Sequence, residues 1–111
     1  MEAVEHQARI EALTEDILTD RQLFSDYNRK FHENTLALSK IREQMQKIHP
    51  SSQRYTVAVN MGDFFMQVPL PKAQSMVSGA QKELESGIQE VQGRLEKKVD
   101  ILEQLKKGNK E

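Results

Sequence analysis

The chain has no cysteine, so a zinc-type site or a proton-transfer site would depend on His6, His32 and His49. These lie far apart in sequence, and none has a second histidine three or four residues away, the spacing that places two ligands on one helical turn. Metal ligation is therefore not expected. Glu15 and Asp16 are adjacent, and on a helix adjacent side chains splay to different faces, a poor geometry for paired acid–base work. Gly62 is a lone turn glycine, and neither a Gly-x-x-x-x-Gly-Lys nor a Gly-x-Gly-x-x-Gly phosphate motif occurs. No Ser, His and Asp grouping lies near a strand-to-helix elbow. The residues predict no enzyme, no cofactor and no metal.

The elements that would carry any function are plainer. The chain has 111 residues, enough for one domain, with 30% charged and 37% hydrophobic residues. That apolar share is below the usual figure of about 45–50%, so a thick core is not expected. Sparse apolar residues that are strongly periodic fit long helices with a narrow buried seam. The formal net charge is −1, with 16 basic and 17 acidic residues, which gives no bulk drive toward nucleic acid or an anionic membrane. The basic residues are interleaved with acids and have no aromatic platform beside them, so no nucleic-acid site is expected.

The opening stretch MEAVEHQARIEAL carries acids where a secretion signal has basic residues, and it has no apolar block. The longest apolar runs, Val57–Val59 and Phe64–Met66, are far shorter than the ~20 residues that span a bilayer. The expected location is the cytoplasm, extending to the nucleus.

From Ile10 onward, alternating steps of three and four pass through Leu13, Ile17, Asp20, Phe24, Tyr27, Phe31, Asn34, Leu38, Ile41, Met45 and Ile48. Only Asp20 and Asn34 interrupt this apolar series. It predicts a coiled-coil helix over about 3–48, with the two polar positions fixing register or partner choice. The helix should end at His49-Pro50, because a residue before proline is pushed out of the helical region.

The period then becomes two. Tyr55, Val57 and Val59, then Phe64, Met66 and Val68, read as the apolar face of a β-hairpin over about 54–68. A fold at Met61-Gly62 pairs Val59 with Phe64, Val57 with Met66 and Tyr55 with Val68. Pro69 and Pro71 are expected to end the second strand. A second coiled-coil helix over about 72–107 follows from Val77, Gln81, Leu84, Ile88, Val91, Leu95, Lys98, Leu102 and Leu105. Its glycines, Gly79, Gly87 and Gly93, are placed away from that seam, and Gly108 ends it.

The whole chain, 1–111, thus reads as a single mainly α domain: a long antiparallel coiled coil of two helices joined by a β-hairpin. An isolated two-stranded hairpin is marginal in water, and its edges carry unpaired backbone groups. The simplest solution is an oligomer whose hairpins join, with assembly residues Tyr55, Val57, Val59, Phe64, Phe65, Met66 and Val68. Phe65 points to the face opposite Phe64 and would pack on a neighbouring subunit or the helix bases. Met45, Met61, Met66 and Met76 cluster near the hairpin, where adaptable side chains suit either a joint between unlike subunits or gap-filling. Phe24, Tyr27 and Phe31 read as core packing.

At the free helix ends, Val4, Ile10, Leu13, Leu102 and Leu105 either close as the end of the seam or fray into small apolar patches that hold unfolded clients. The acidic residues Glu2, Glu5, Glu11, Glu15, Asp16 and Asp20 face a basic series from Arg94 to Lys110. They either pair along the stalk or steer a partner.

The order helix–hairpin–helix, the stretch Met61-Gly62-Asp63-Phe64-Phe65-Met66 and the following Met76 resemble the β-class prefoldin subunits over nearly the whole chain. The stretch is similar to the Gly-Asp/Asn-x-Phe-Ile/Val second strand of the prefoldin subunit 4 type. Pro69-Leu70-Pro71 and Arg21-Gln22-Leu23 are closer still to the DNA-damage-regulated prefoldin-like subunits. The resemblance implies a non-catalytic co-chaperone subunit in a hexamer of two α-class and four β-class chains, its body made of joined hairpins. It also implies unfolded clients, in prefoldin chiefly actin and tubulin, held by the coiled coils and passed to a chaperonin without ATP hydrolysis. For the prefoldin-like relatives it implies a place in a co-chaperone complex serving large assemblies such as RNA polymerase. A coiled-coil tether or adaptor in a multiprotein complex is the alternative reading of the same residues, and it predicts a dimer with a solvated loop in place of the hairpin.

Overall fold

The computed structural model describes residues 2–47, 56–60 and 62–108. Helix α1 runs Glu2–Lys47, strand β1 Thr56–Asn60, strand β2 Phe65–Pro69 and helix α2 Leu70–Gly108. This is a mainly helical chain, with two long helices joined by an antiparallel two-stranded hairpin. Neither helix is long and apolar enough to cross a membrane.

Where one domain is expected, the chain forms two compact units, each using part of both helices. The first combines α1 up to Arg29 with α2 from Ser86 onward. The second runs from Lys30 to Glu85 and contains the hairpin.

In the first unit the helices run antiparallel: His6 reaches Leu105, Asp20 reaches Arg94 and Lys98, and Tyr27 lies against Gly87. Ile10, Ile17, Asp20 and Val91 are its buried residues. In the second, Gln81 Nε2 donates to the Phe31 carbonyl at 3.1 Å and to Thr35 Oγ1 at 3.0 Å. Every described residue of the two periodic series, polar ones included, is buried or half-buried. The seam is the one the spacing predicts; Ile48 lies outside the described residues.

The hairpin register differs from the expectation. Val59 pairs with Met66, Val57 with Val68 and Asn60 with Phe65, so the partners of β1 are shifted by two residues along β2. A shift of two keeps every side chain on its face, because the strand period is two. The cause is the turn. Gly62 takes φ 102°, and its N–H donates to Asn60 Oδ1 at 2.9 Å, an Asx turn that leaves Gly62, Asp63 and Phe64 outside the strands. Phe64, expected on the apolar face opposite Val59, is instead in the turn and exposed. Tyr55 and Met61 lie outside the described residues.

A second correction concerns cover. Val57, Val59, Met66 and Val68 do not wait for another chain. They sit against Ile41, Met45, Leu70, Ala73, Met76 and Val77 of the helix bases, with Val68, Leu70 and Ala73 nearly inaccessible. Burying a valine of this kind stabilises by roughly 1.5–3 kcal/mol. Met45, Met66 and Met76 pack, half-buried, against this cluster.

The start of α2 also differs. Pro69 is still in the strand, opposite Thr56 at its end, and the helix begins at Leu70 with Pro71 in its first turn. Proline is tolerated in a first turn, whose N–H groups have no helical acceptor. No linker separates β2 from α2.

Candidate functional site

The residues expected to join subunits divide into two groups. Val57, Val59, Met66 and Val68 form the inner face just described: Val68 is buried, and the other three are half-buried against this chain's own core. Phe64 and Phe65 are 59% and 70% exposed. Phe65 shares the outer face with Thr56, Ala58, Asn60 and Gln67, all exposed, and Thr56 Oγ1 donates to Gln67 Oε1 across the strands at 3.2 Å. Among the described residues the sheet has two strands, so each strand has one unpaired edge. The β1 edge borders a groove of about 390 Å³ lined by Asn34, Ala37, Ile41 and Val77.

The residues expected to hold clients do not form one patch. Ile10 is buried, Leu13, Leu102 and Leu105 are half-buried, and Val4 alone is freely exposed, on a separate shallow surface with Ala3, Gln7 and Ala8. His6 Nε2 donates to the Leu105 carbonyl at 2.8 Å. The described helix ends lie closed against each other, as in the end-of-seam arrangement. Leu18, Leu36 and Ile101 are the exposed large side chains that the periodic reading passes over, because each stands off the seam. An apolar residue directly beside a seam position, as Leu18 is beside Ile17, is the sequence signal for such a site.

The electrostatic centre of the first unit is Asp20. Its carboxylate is buried and accepts from Arg94 Nη2 at 3.1 Å, Arg94 Nε at 3.4 Å and Lys98 Nζ at 2.8 Å. The Arg94 hydrogen bonds, then that of Lys98, hold the Asp20 carboxyl below its ordinary value, while desolvation pulls the other way. Arg94 is correspondingly raised, first by its hydrogen bond to Asp20. Asp16 adds a longer contact to Lys98 at 3.9 Å.

Of the acidic series, only Asp16 and Asp20 pair across to α2 among the described residues. Glu2 and Glu5 sit in the first turn of α1, and Lys106 and Lys107 in the last turn of α2. Each group complements the dipole of its own helix.

Among the described residues no three His, Asp or Glu side chains gather in a way that could hold a metal ion. The site is thus a set of surfaces: an outer hairpin face with two phenylalanines, two strand edges, and an apolar strip beside the seam of the first unit. No protein-family model matches the chain, and no curated protein matches it in sequence.

Proposed function

We propose that this chain is a non-catalytic subunit of a prefoldin or prefoldin-like hetero-oligomeric co-chaperone. It joins α- and β-class partners through its β-hairpin and holds unfolded client proteins with its coiled-coil helices, in the cytoplasm and nucleus. The observation that carries this reading is a two-stranded hairpin between two long helices that exposes Phe64 and Phe65 and, among the described residues, leaves both strand edges unpaired. A simple tether has no use for such an element. Because the inner face is already covered, the joint is made by the edges and by Phe64 and Phe65. Another subunit's strand can add to the β1 edge, its apolar side chains entering the groove over Ala37 and Ile41.

Client contact without nucleotide relies on several weak sites acting together. Val4 is available as it stands; Ile10, Leu13, Leu102 and Leu105 become available when the helix ends open, breaking the His6–Leu105 bond.

The test is the composition and mass of the native complex purified through this chain, with light scattering after addition of α-class prefoldin-type subunits. A discrete hetero-oligomer is expected. A complex without prefoldin-type subunits, or a lone dimer, overturns the reading and favours the tether. In the assembled complex, deletion of 1–13 with 102–111 should abolish protection of an unfolded substrate while leaving assembly intact.

A further inference from the structure

The first unit carries a groove beside the seam, lined in part by the half-buried seam residues Phe24, Leu95 and Leu102, of which the proposed subunit role uses only Leu102. It lies along one side of the helix pair and has a volume of about 500 Å³ in its wider part. Phe24, Leu95 and Val99 line that part, and Leu18 and Leu102 continue it toward the helix ends. Leu18 is 57% exposed, although a buried site lies one residue away at Ile17.

The two rims differ in charge. The α2 rim carries Glu96, Asp100 and Glu103, whereas Arg21 is the charged residue of the α1 rim. Lys106 follows at the far end. None of the three carboxylates takes part in an ion pair or side-chain hydrogen bond among the described residues, although Arg94 and Lys98 of the same helix do. Steps of four and three put the carboxylates on one line along α2, spaced over about 10 Å.

We infer that this groove docks an amphipathic helix of a partner protein, its apolar stripe on Leu18, Phe24, Leu95 and Val99, and its Lys or Arg flank along Glu96, Asp100 and Glu103. An apolar stripe at helical spacing fits a straight groove between two helices. Three carboxylates at helical spacing match basic residues at the same spacing; an extended segment, at about 3.3 Å per residue, does not hold that phase. A second copy of this chain brings three carboxylates and one arginine on the same rims, so it offers a single cation where three carboxylates call for a basic flank.

The probe is a synthetic peptide of about 18 residues, with leucines at i, i+3, i+4 and i+7 and lysines along one flank. Its control carries glutamates at the lysine positions. Binding to the full chain is read by fluorescence anisotropy at two salt concentrations. The lysine peptide should bind about tenfold more tightly than its control, the sum of three modest exposed pairs, with the difference shrinking in high salt. Glu96→Lys with Asp100→Lys and Glu103→Lys should invert the preference, and Leu18→Glu should remove binding of both peptides. Circular dichroism checks each variant's helicity; if the triple variant is unfolded, Asp100→Asn alone should weaken the lysine peptide severalfold. Equal affinity for the two peptides, or no binding of the lysine peptide, overturns the inference. So does a homodimer that Leu18→Glu dissolves, since the groove would then be a self-interface.

Discussion

Lys98 Nζ lies 2.8 Å from Asp20 Oδ2, so one of the two polar residues that break the apolar series of α2 meets one of the two that break the series of α1. Arg94, one turn earlier on α2, completes the clamp with a two-point contact. The interaction fixes register within the first unit, because sliding either helix by one heptad, which brings Gly87 and Val91 or Ile101 and Leu105 to Asp20, leaves a buried carboxylate without a cation. Such a loss is more costly than the pair itself is stabilising. Gln81, with its bonds to the Phe31 carbonyl and Thr35, does the same for the second unit.

The clamp has a pH signature. Asp20 binds a proton less readily in the folded chain than in the unfolded one, so its contribution is fully present above the unfolded value of about 3.9 and is lost as pH falls through the lower folded value. Asp20→Asn should therefore lower the melting temperature at pH 6. The gap to the parent should close as the medium is acidified through the carboxylate range. Thermal melts from pH 7 to pH 2 check this; a gap that stays constant to pH 2 would assign the effect to shape and not to charge.

The helical glycines should behave differently from one another. A Cβ at Gly79 or Gly93 would meet nothing within 4 Å, so Gly79→Ala and Gly93→Ala should each stabilise by about 0.5–1 kcal/mol. A Cβ at Gly87 would lie 3.1 Å from Tyr27 Cε2, and the ring would have to shift. Gly87→Ala should forfeit that gain. Combined with Tyr27→Leu it should recover by at least about 0.5 kcal/mol in a double-mutant cycle. Urea unfolding measures all of these; additivity of the Gly87 and Tyr27 changes would refute the contact.

Two substitutions separate the hairpin's faces. Val68→Asp buries an unpaired charge in the hairpin–helix cluster and should destabilise the chain by about 3 kcal/mol or more. Phe65→Asp, on the open outer face, should change the stability of the isolated chain by less than about 0.5 kcal/mol. If Phe65 packs on a neighbour, the same change should prevent hetero-oligomer formation. Melts of the isolated variants, with light scattering of mixtures, distinguish a folding defect from an assembly defect.

The two helices and their seam were legible because burial against one partner helix enforces a repeat of three and four, and nothing else in the chain disturbs it. The hairpin was legible for the corresponding reason at period two. Its register was not, since Asn60 capping Gly62 lengthens the turn without changing the alternation of apolar residues. Nor was the cover of Val57 and Val68, because which helix turn a strand face meets depends on how the chain enters α2. Arg94 was legible as the start of the basic series that faces Asp20, whereas Leu18 escaped because it stands off the heptad line, and a one-dimensional repeat records seam positions only.

The direct passage from Pro69 in the strand to Leu70 in the helix leaves the second unit intolerant of length change at that joint. One residue inserted there would rotate the following turns of α2 by about 100° relative to β2. Ala73 and Val77 would leave the cluster while Val68 stayed, and no side-chain substitution restores a lost phase. Evolution can vary the composition of this joint, but it can add or remove residues only where strand and helix do not share one reading of the chain.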